Sequence, residues 1–488
     1  MSARCPVVNR KLRGRRLLVG AFVAVFPLPL VAAAQDAQIA GIDARRDHYA
    51  GVARQIWEWA EVGYQEEQSS ELLKGELETA GFSVESGVAG MPTAFVASYG
   101  SGGPIIGILA EYDALPGISQ DAVPERSPII EGGAGHACGH HLFGAGSVAA
   151  AIAVKEWLDE SGHEGTIRLY GTPAEEGGAG KVYMVRDGLF DDVDVALHWH
   201  PSSQNSAQAG RSLANKSAKF RFSGYSAHAA GAPDRGRSAL DGVEAMNHMV
   251  NLMREHVPQE TRIHYVITQG GFAPNVVPDF AEVYYYVRHP YAPTVLELFE
   301  RVARAAEGAA LGTGTEMEYE VIHGLYDLVP NVALGRVMDA NLRRVGGVEY
   351  TEAERAFARQ IQATFEGGPS RPLGSESEIE EFGVEGVGGG STDVGDISWV
   401  VPTAGLSTAT WVPGTSAHSW QAVAAGGTDI GTKGMMVAAK TLALTTIELF
   451  QSPDVIAAAW EELTERRGAD FAYEALLGDR PPPLDYRR

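Results

Sequence analysis

A chain of 488 residues, 45% apolar and 21% charged, has material for two or three domains with ample core. Its 39 basic residues stand against 62 acidic ones, a formal charge of −23, which excludes nucleic acid as a partner and requires any anionic ligand to meet a local cationic site.

Residues 1–34 read as an address rather than as fold. Five arginines and one lysine precede an apolar run, 17–31, that is short for a membrane span and ends at Ala32-Ala33-Ala34, a small-residue cleavage pattern. We expect a signal peptide over 1–34 and a mature protein that is periplasmic or secreted, more acidic still than the whole chain. No other apolar run is long enough for a membrane span. Cys5 leaves with the signal, so Cys138 is the only mature cysteine. An intramolecular disulfide is then excluded, and a lone thiol in an oxidising compartment calls for burial or a metal.

From 35 to 214 helical and strand periodicities alternate, with strands at 94–98, 105–110, 166–171 and 193–198 and helices at 49–60, 69–80 and 142–160. This predicts an α/β domain with an open, largely parallel sheet and helices on its faces. The third helix opens on Gly144, Ala145, Gly146 and Ser147, small residues that imply close backbone packing. Between 215 and 325 the order becomes β-α-β-β-α-β, with strands at 218–223, 262–269, 281–288 and 316–321 and helices at 238–255 and 294–309. That order is a separate α+β, ferredoxin-like unit. Met246, Met249 and Met253, at helical spacing, read as its core. From 326 to 488 the first pattern resumes, beginning with a capped helix at Thr351-Glu352-Ala353-Glu354, so one domain is inserted into another. Residues 366–396 read as an active-site cover or a mobile loop, and the final PPPLDYRR as an extended, disordered tail.

Five features fall where sheet strands, or the connections after them, should end: Asp113, HACGHH at 136–141, Glu175-Glu176, HWH at 198–200, and His418. Ligands bind at the carboxyl edge of an open α/β sheet. A lone histidine or a glutamate pair is ordinarily surface chemistry. Five groups of metal-ligand type on one edge instead predict a metal site. Cys138 and His140, flanking a glycine, can chelate zinc. Adjacent Glu175 and Glu176 diverge, so one can bind a metal while the other reaches an activated water.

The segments ILAEYDALPG, GHACGHHLFGAGS, GTPAEEGGAGK, LHWHP, SGYSAHAAGAP, NVVPDFAEVYYYVR, GGSTDVGDISWVVPT and GTSAHS, in this order, resemble the zinc amidohydrolase and aminoacylase branch of metallopeptidase family twenty, over nearly the whole mature chain. The resemblance implies a dinuclear zinc peptidase-like catalytic domain, with the inserted unit as lid and dimer contact. It also implies that Cys138, His140, Glu176, His198 and His418 hold two divalent ions, zinc or manganese, with Cys138 bridging. Glu175 would be the general base, and His228 would steady the oxyanion, from its own or a partner subunit. Asn275 and Arg288 would hold the substrate and its carboxylate. In LHWHP the family pattern favours His198 over its competitor His200. Two departures stand out: His141 follows CGH where the branch often has Asp or Asn, and Glu111 stands where other members have a histidine, so Asp113 is expected to support rather than ligate.

The expected activity is hydrolysis of the amide bond of small N-acyl amino acids, acyl-glutamate conjugates among them, by a homodimer. The alternatives are a dipeptidase or carboxypeptidase on the same dinuclear site, or a metal-bearing binding protein without catalysis; retention of Glu175 argues against the last.

Overall fold

The computed structural model describes residues 37–384 and 386–487. The expected signal peptide lies outside the described residues.

The larger unit is built on six strands. In chain order these are β1 (Ser83–Ser86), β2 (Phe95–Ser101), β3 (Ile105–Ala110), β4 (Gly165–Gly171), β5 (Val195–Ser202) and, far along the sequence after four strands of a second unit, β10 (Thr403–Ala409). They lie in the order β1-β2-β4-β3-β5-β10. Strands β4, β3, β5 and β10 run parallel, whereas β1 and β2 pair antiparallel at one edge. The sheet is therefore mixed and open.

The helices His140–Ser161 and Asp429–Phe450 pack against each other and against this sheet. Both are buried almost all round, as expected of helices inside a large core. The small residues that open the first are required by contact: a Cβ at Gly144 would stand 2.9 Å from the Glu111 carbonyl oxygen, and one at Gly146 3.0 Å from Met435. Because four strands run parallel, their carboxyl ends emerge on one edge. Glu111 and Asp113 follow β3, Glu175 and Glu176 follow β4, His200 lies near the end of β5, and His418 follows β10.

The second unit is an antiparallel sheet ordered β7-β8-β6-β9, from β6 (Ala214–Ser223), β7 (Arg262–Gln269), β8 (Phe280–His289) and β9 (Glu316–Leu325). Helices Ala239–Met253 and Ala292–Thr313 cover it and close a core of its own. Met246 is fully buried there, but Met249 is 40% exposed, so the methionine stripe is core on one side only. The chain crosses between the units near 211–213 and 326–329. Both crossings are pinned: Asp327 receives Arg211 and the Ala292 amide, and Ser212 Oγ accepts from the Leu328 amide at 2.9 Å.

The final segment does not form the expected disordered tail. Leu484 and Tyr486 pack on the main core, and the Leu484 carbonyl accepts from Gln65 at 2.8 Å.

Candidate metal centre

Gly139 adopts φ +77°, a left-handed conformation that glycine takes without strain, and ends the turn from which helix His140–Ser161 begins. A Cβ there would meet Pro201 at 2.7 Å. The glycine thus lets Cys138, just before the helix, and His140, its first residue, approach the end of β5. There Cys138 Sγ lies 3.4 Å from His200 Nε2.

Three overlapping clusters result. The ligand atoms of Cys138, His140 and His200 lie within 4.8 Å of one another, as do those of Cys138, Glu176 and His418, and those of Glu111, His140 and Glu175. His140 Nδ1 donates to Asp113 Oδ1 at 2.8 Å, which leaves Nε2 as its lone-pair nitrogen. His200 Nδ1 donates to the Pro201 carbonyl at 2.7 Å with the same consequence. Asp113 also accepts the Glu176 amide at 2.9 Å, so one buried carboxylate orients two neighbouring groups of the site.

His198 is not among these groups. It shares a face of β5 with His200 but stands two residues deeper in the sheet, opposite Gly405. A Cβ at Gly405 would fall 2.3 Å from its Nε2, so β10 makes room for the ring there by having no side chain. The geometry therefore differs from the expectation for LHWHP: His200, nearer the carboxyl edge, is the histidine that meets Cys138, while His198 stands deeper in β5 with its Nε2 unpartnered among the described residues.

The electrostatics suit a cation. Burial pushes the Cys138 thiol up, so a thiolate there needs a positive charge beside it. Burial, then the charge on His140, push His200 down to about 4 and keep it a neutral donor. Burial also works against a charged His140, but Glu111 and Asp113 outweigh it and raise its pKa. For Glu175, burial first and then Glu111, Glu176 and Asp393 lift the carboxyl above its ordinary range. Glu176 is lowered: burial opposes ionisation, but its bond to His418, at 3.0 Å, and His140 prevail. Glu111 Oε2 stands 3.1 Å from His140 Nε2 and Glu176 Oε1 3.0 Å from His418 Nε2, close ion-pair contacts that lack hydrogen-bond geometry. Carboxylates beside a thiol and imidazoles are a donor set for divalent ions.

Beneath the site lies an ion cluster that the sequence reading did not single out. Lys181 Nζ is 2.7 Å from both Glu111 Oε1 and Asp393 Oδ1, and all three side chains are excluded from solvent. The only sequence signal was that Lys181 and Asp393 fall inside GTPAEEGGAGK and GGSTDVGD.

His141 turns away from the site to the Gly426 carbonyl, at 3.1 Å. The remaining expected residues lie on the second unit. His228 and Asn275 sit on adjoining exposed loops, joined by the bond from the Ala229 amide to the Asn275 carbonyl at 3.1 Å. Arg288 lies on β8 with its guanidinium 5.3 Å from the Tyr286 ring. No hydrogen bond or ion pair among the described residues joins these three to the metal cluster.

Comparison with known proteins places this geometry. The chain is 44% identical over 434 residues to one of the subunits of the p-aminobenzoyl-glutamate hydrolase of Escherichia coli (strain K12), covering 84% of this chain and 90% of that protein. It is 28% identical over 431 residues to the Xaa-Arg dipeptidase of Mus musculus, covering 85% and 88%. In fold it is similar to a dinuclear metal-binding peptidase from Bacillus subtilis, with TM-score 0.57 and 18% identity over 84% of this chain and 99% of that one. The signature of peptidase family M20/M25/M40 matches residues 107–372. The chain belongs to peptidase family M20/M25/M40 and is a metal-dependent amide hydrolase.

Proposed function

We propose that the protein hydrolyses the amide bond of N-acyl amino acids, aromatic acyl-glutamates among them, releasing a carboxylic acid and an amino acid. Glu175, a carboxyl of raised pKa at the edge of the donor cluster, carries the reading, because a binding site has no need of a base there. The 44% identity to a component of a p-aminobenzoyl-glutamate hydrolase supports the substrate class.

Cys138, His140, His200, Glu176 and His418 would hold two divalent ions, zinc or manganese, which when bound supply Lewis acidity and lower the pKa of a water. Asp113 fixes the tautomer and direction of His140. Glu175 takes the proton of the attacking water and delivers it to the nitrogen of the leaving amine, which could not depart as an anion near neutral pH. His228, on the second unit, would steady the oxyanion, and Asn275 and Arg288 would hold the substrate. The basic and apolar residues 1–34 support export to the periplasm or beyond.

The test is hydrolysis of p-aminobenzoyl-glutamate, other acyl amino acids and dipeptides by mature protein loaded with defined metals. Glu175→Gln should keep the fold and the metals while losing at least about 10²-fold in turnover. Cleavage of dipeptides alone would move the reading to a dipeptidase. Activity untouched by chelators would sink it.

A further inference from the structure

Residues 481–487 run back across the larger unit and end on the metal cluster. Along the way Arg186 binds the Arg480 carbonyl at 2.8 Å, Gln65 binds the Leu484 carbonyl at 2.8 Å, and the Tyr486 ring stacks edge-on against Tyr64 with centroids 5.7 Å apart. Tyr486 Oη donates to the Glu176 carbonyl at 3.3 Å. Arg487 donates to the same carbonyl and, at 3.3 Å, to that of Ala114.

Both acceptors of Arg487 are neutral carbonyls, which an uncharged amide donor could satisfy as well. Among the described residues no carboxylate pairs with its guanidinium, and the side chain stays partly open to solvent. Three of the nearby carboxylates are already engaged: Asp113 with His140 and the Glu176 amide, Glu176 with His418, and Glu111 with Lys181. A guanidinium held on the Glu176 carbonyl beside the donor cluster, without a counter-ion among the described residues of a strongly acidic protein, is suited to receive a carboxylate.

We propose that Arg487 is a specificity-determining residue that binds a carboxylate of the substrate. It is supplied by a segment distant in sequence from every metal ligand and is distinct from Arg288 on β8. The proposal rests on the acyl-amino-acid reading above and names the group that selects for acids within it.

The experiment compares wild type, Arg487→Ala and Arg487→Lys on N-benzoylglutamate, its α-amide and its side-chain amide, with metal content measured on each protein. Arg487→Ala should lower kcat/KM for the diacid by roughly 10- to 100-fold, mainly through KM, and should change one of the two amides by no more than about threefold. The insensitive amide identifies which carboxylate the arginine binds. Metal content should stay constant, and lysine should restore only part of the loss. Equal losses on all three substrates, or loss of metal, would make Arg487 a buttress of the Glu175–Glu176 turn and overturn the proposal; a gain on all three would make it a plug and do the same. Calorimetry with N-benzoylglutamate separates this from failure of the functional reading. Wild type that binds the diacid without cleaving it, with binding weakened in Arg487→Ala, would sink the reading and leave the arginine's role standing.

Discussion

Lys181 shows how much of this site is charge management. It touches two carboxylates at once in a solvent-free pocket, and one of them, Glu111, presents its other oxygen to His140 Nε2 at 3.1 Å. Without the ammonium, two buried acids would face each other and Glu175, so the lysine is what allows a carboxylate at position 111. At the same scale the two histidines of LHWHP separate cleanly. His200→Ala should remove a ligand and lower the metal content by about one ion per chain. His198→Ala should keep both ions and cost only the packing of a buried ring over Gly405, about 1–3 kcal/mol in urea unfolding. Elemental analysis of both variants checks the assignment, and metal loss confined to His198→Ala would reverse it.

Among the elements, the short helix Val394–Val400 has an effect beyond its length, because Asp393 at its start enters the Lys181 cluster while Asp396, one turn on, holds the crossing between the two units. Asp396 accepts the Tyr326 amide at 3.0 Å and the Tyr473 hydroxyl at 2.7 Å. Burial raises its pKa from 3.8 to about 8. A folded-state pKa above the unfolded one gives stability that is full below about pH 4 and is lost as pH rises towards 8, because the unfolded chain ionises first. Asp396→Asn cannot ionise, so its urea midpoint should gain on wild type between pH 5 and pH 8; a constant offset across that range would show that Asp396 is charged in the native state.

Much at this scale was legible in the sequence. Residues 105–110 and 262–269 form strands with the expected bounds, and the Thr351–Glu354 capping box is made by both partners. Period-two alternation could not decide between His198 and His200, which share a face; what separates them is depth from the sheet edge, a tertiary quantity. The Lys181–Asp393 pair joins residues 212 apart, and the docking of Tyr486 depends on Gly63 and Tyr64, where no local pattern announces a partner. Composition predicted disorder for a proline-rich tail, and tertiary contact overrode it.

For the molecule as a whole, the part taken by the second unit follows from its exposed surface. Its edge strand β7 exposes Tyr265, Val266 and Ile267, and Phe272 beyond it is 96% exposed. An apolar, unpaired strand edge is a surface that proteins ordinarily cover, and a second copy of the chain is the partner we propose for it. His228 sits exposed on the same unit, its Nδ1 accepting the Ala230 and Gly231 amides at 3.2 and 3.1 Å, which leaves Nε2 free to face a substrate. From there it can serve an oxyanion in its own subunit, with the second unit closed over the metals, or at the partner's metals. Mixing His228→Ala with Glu175→Gln under conditions that exchange subunits decides between these routes. Each variant alone should be nearly inactive with full metal content. If His228 serves the partner, a mixed dimer contains one site with both an intact base and an intact histidine, and up to about a quarter of wild-type activity should return at equal mixing. No recovery, with exchange verified by differently tagged chains, would assign the histidine to its own subunit and make closure of the second unit over its own metals the required motion.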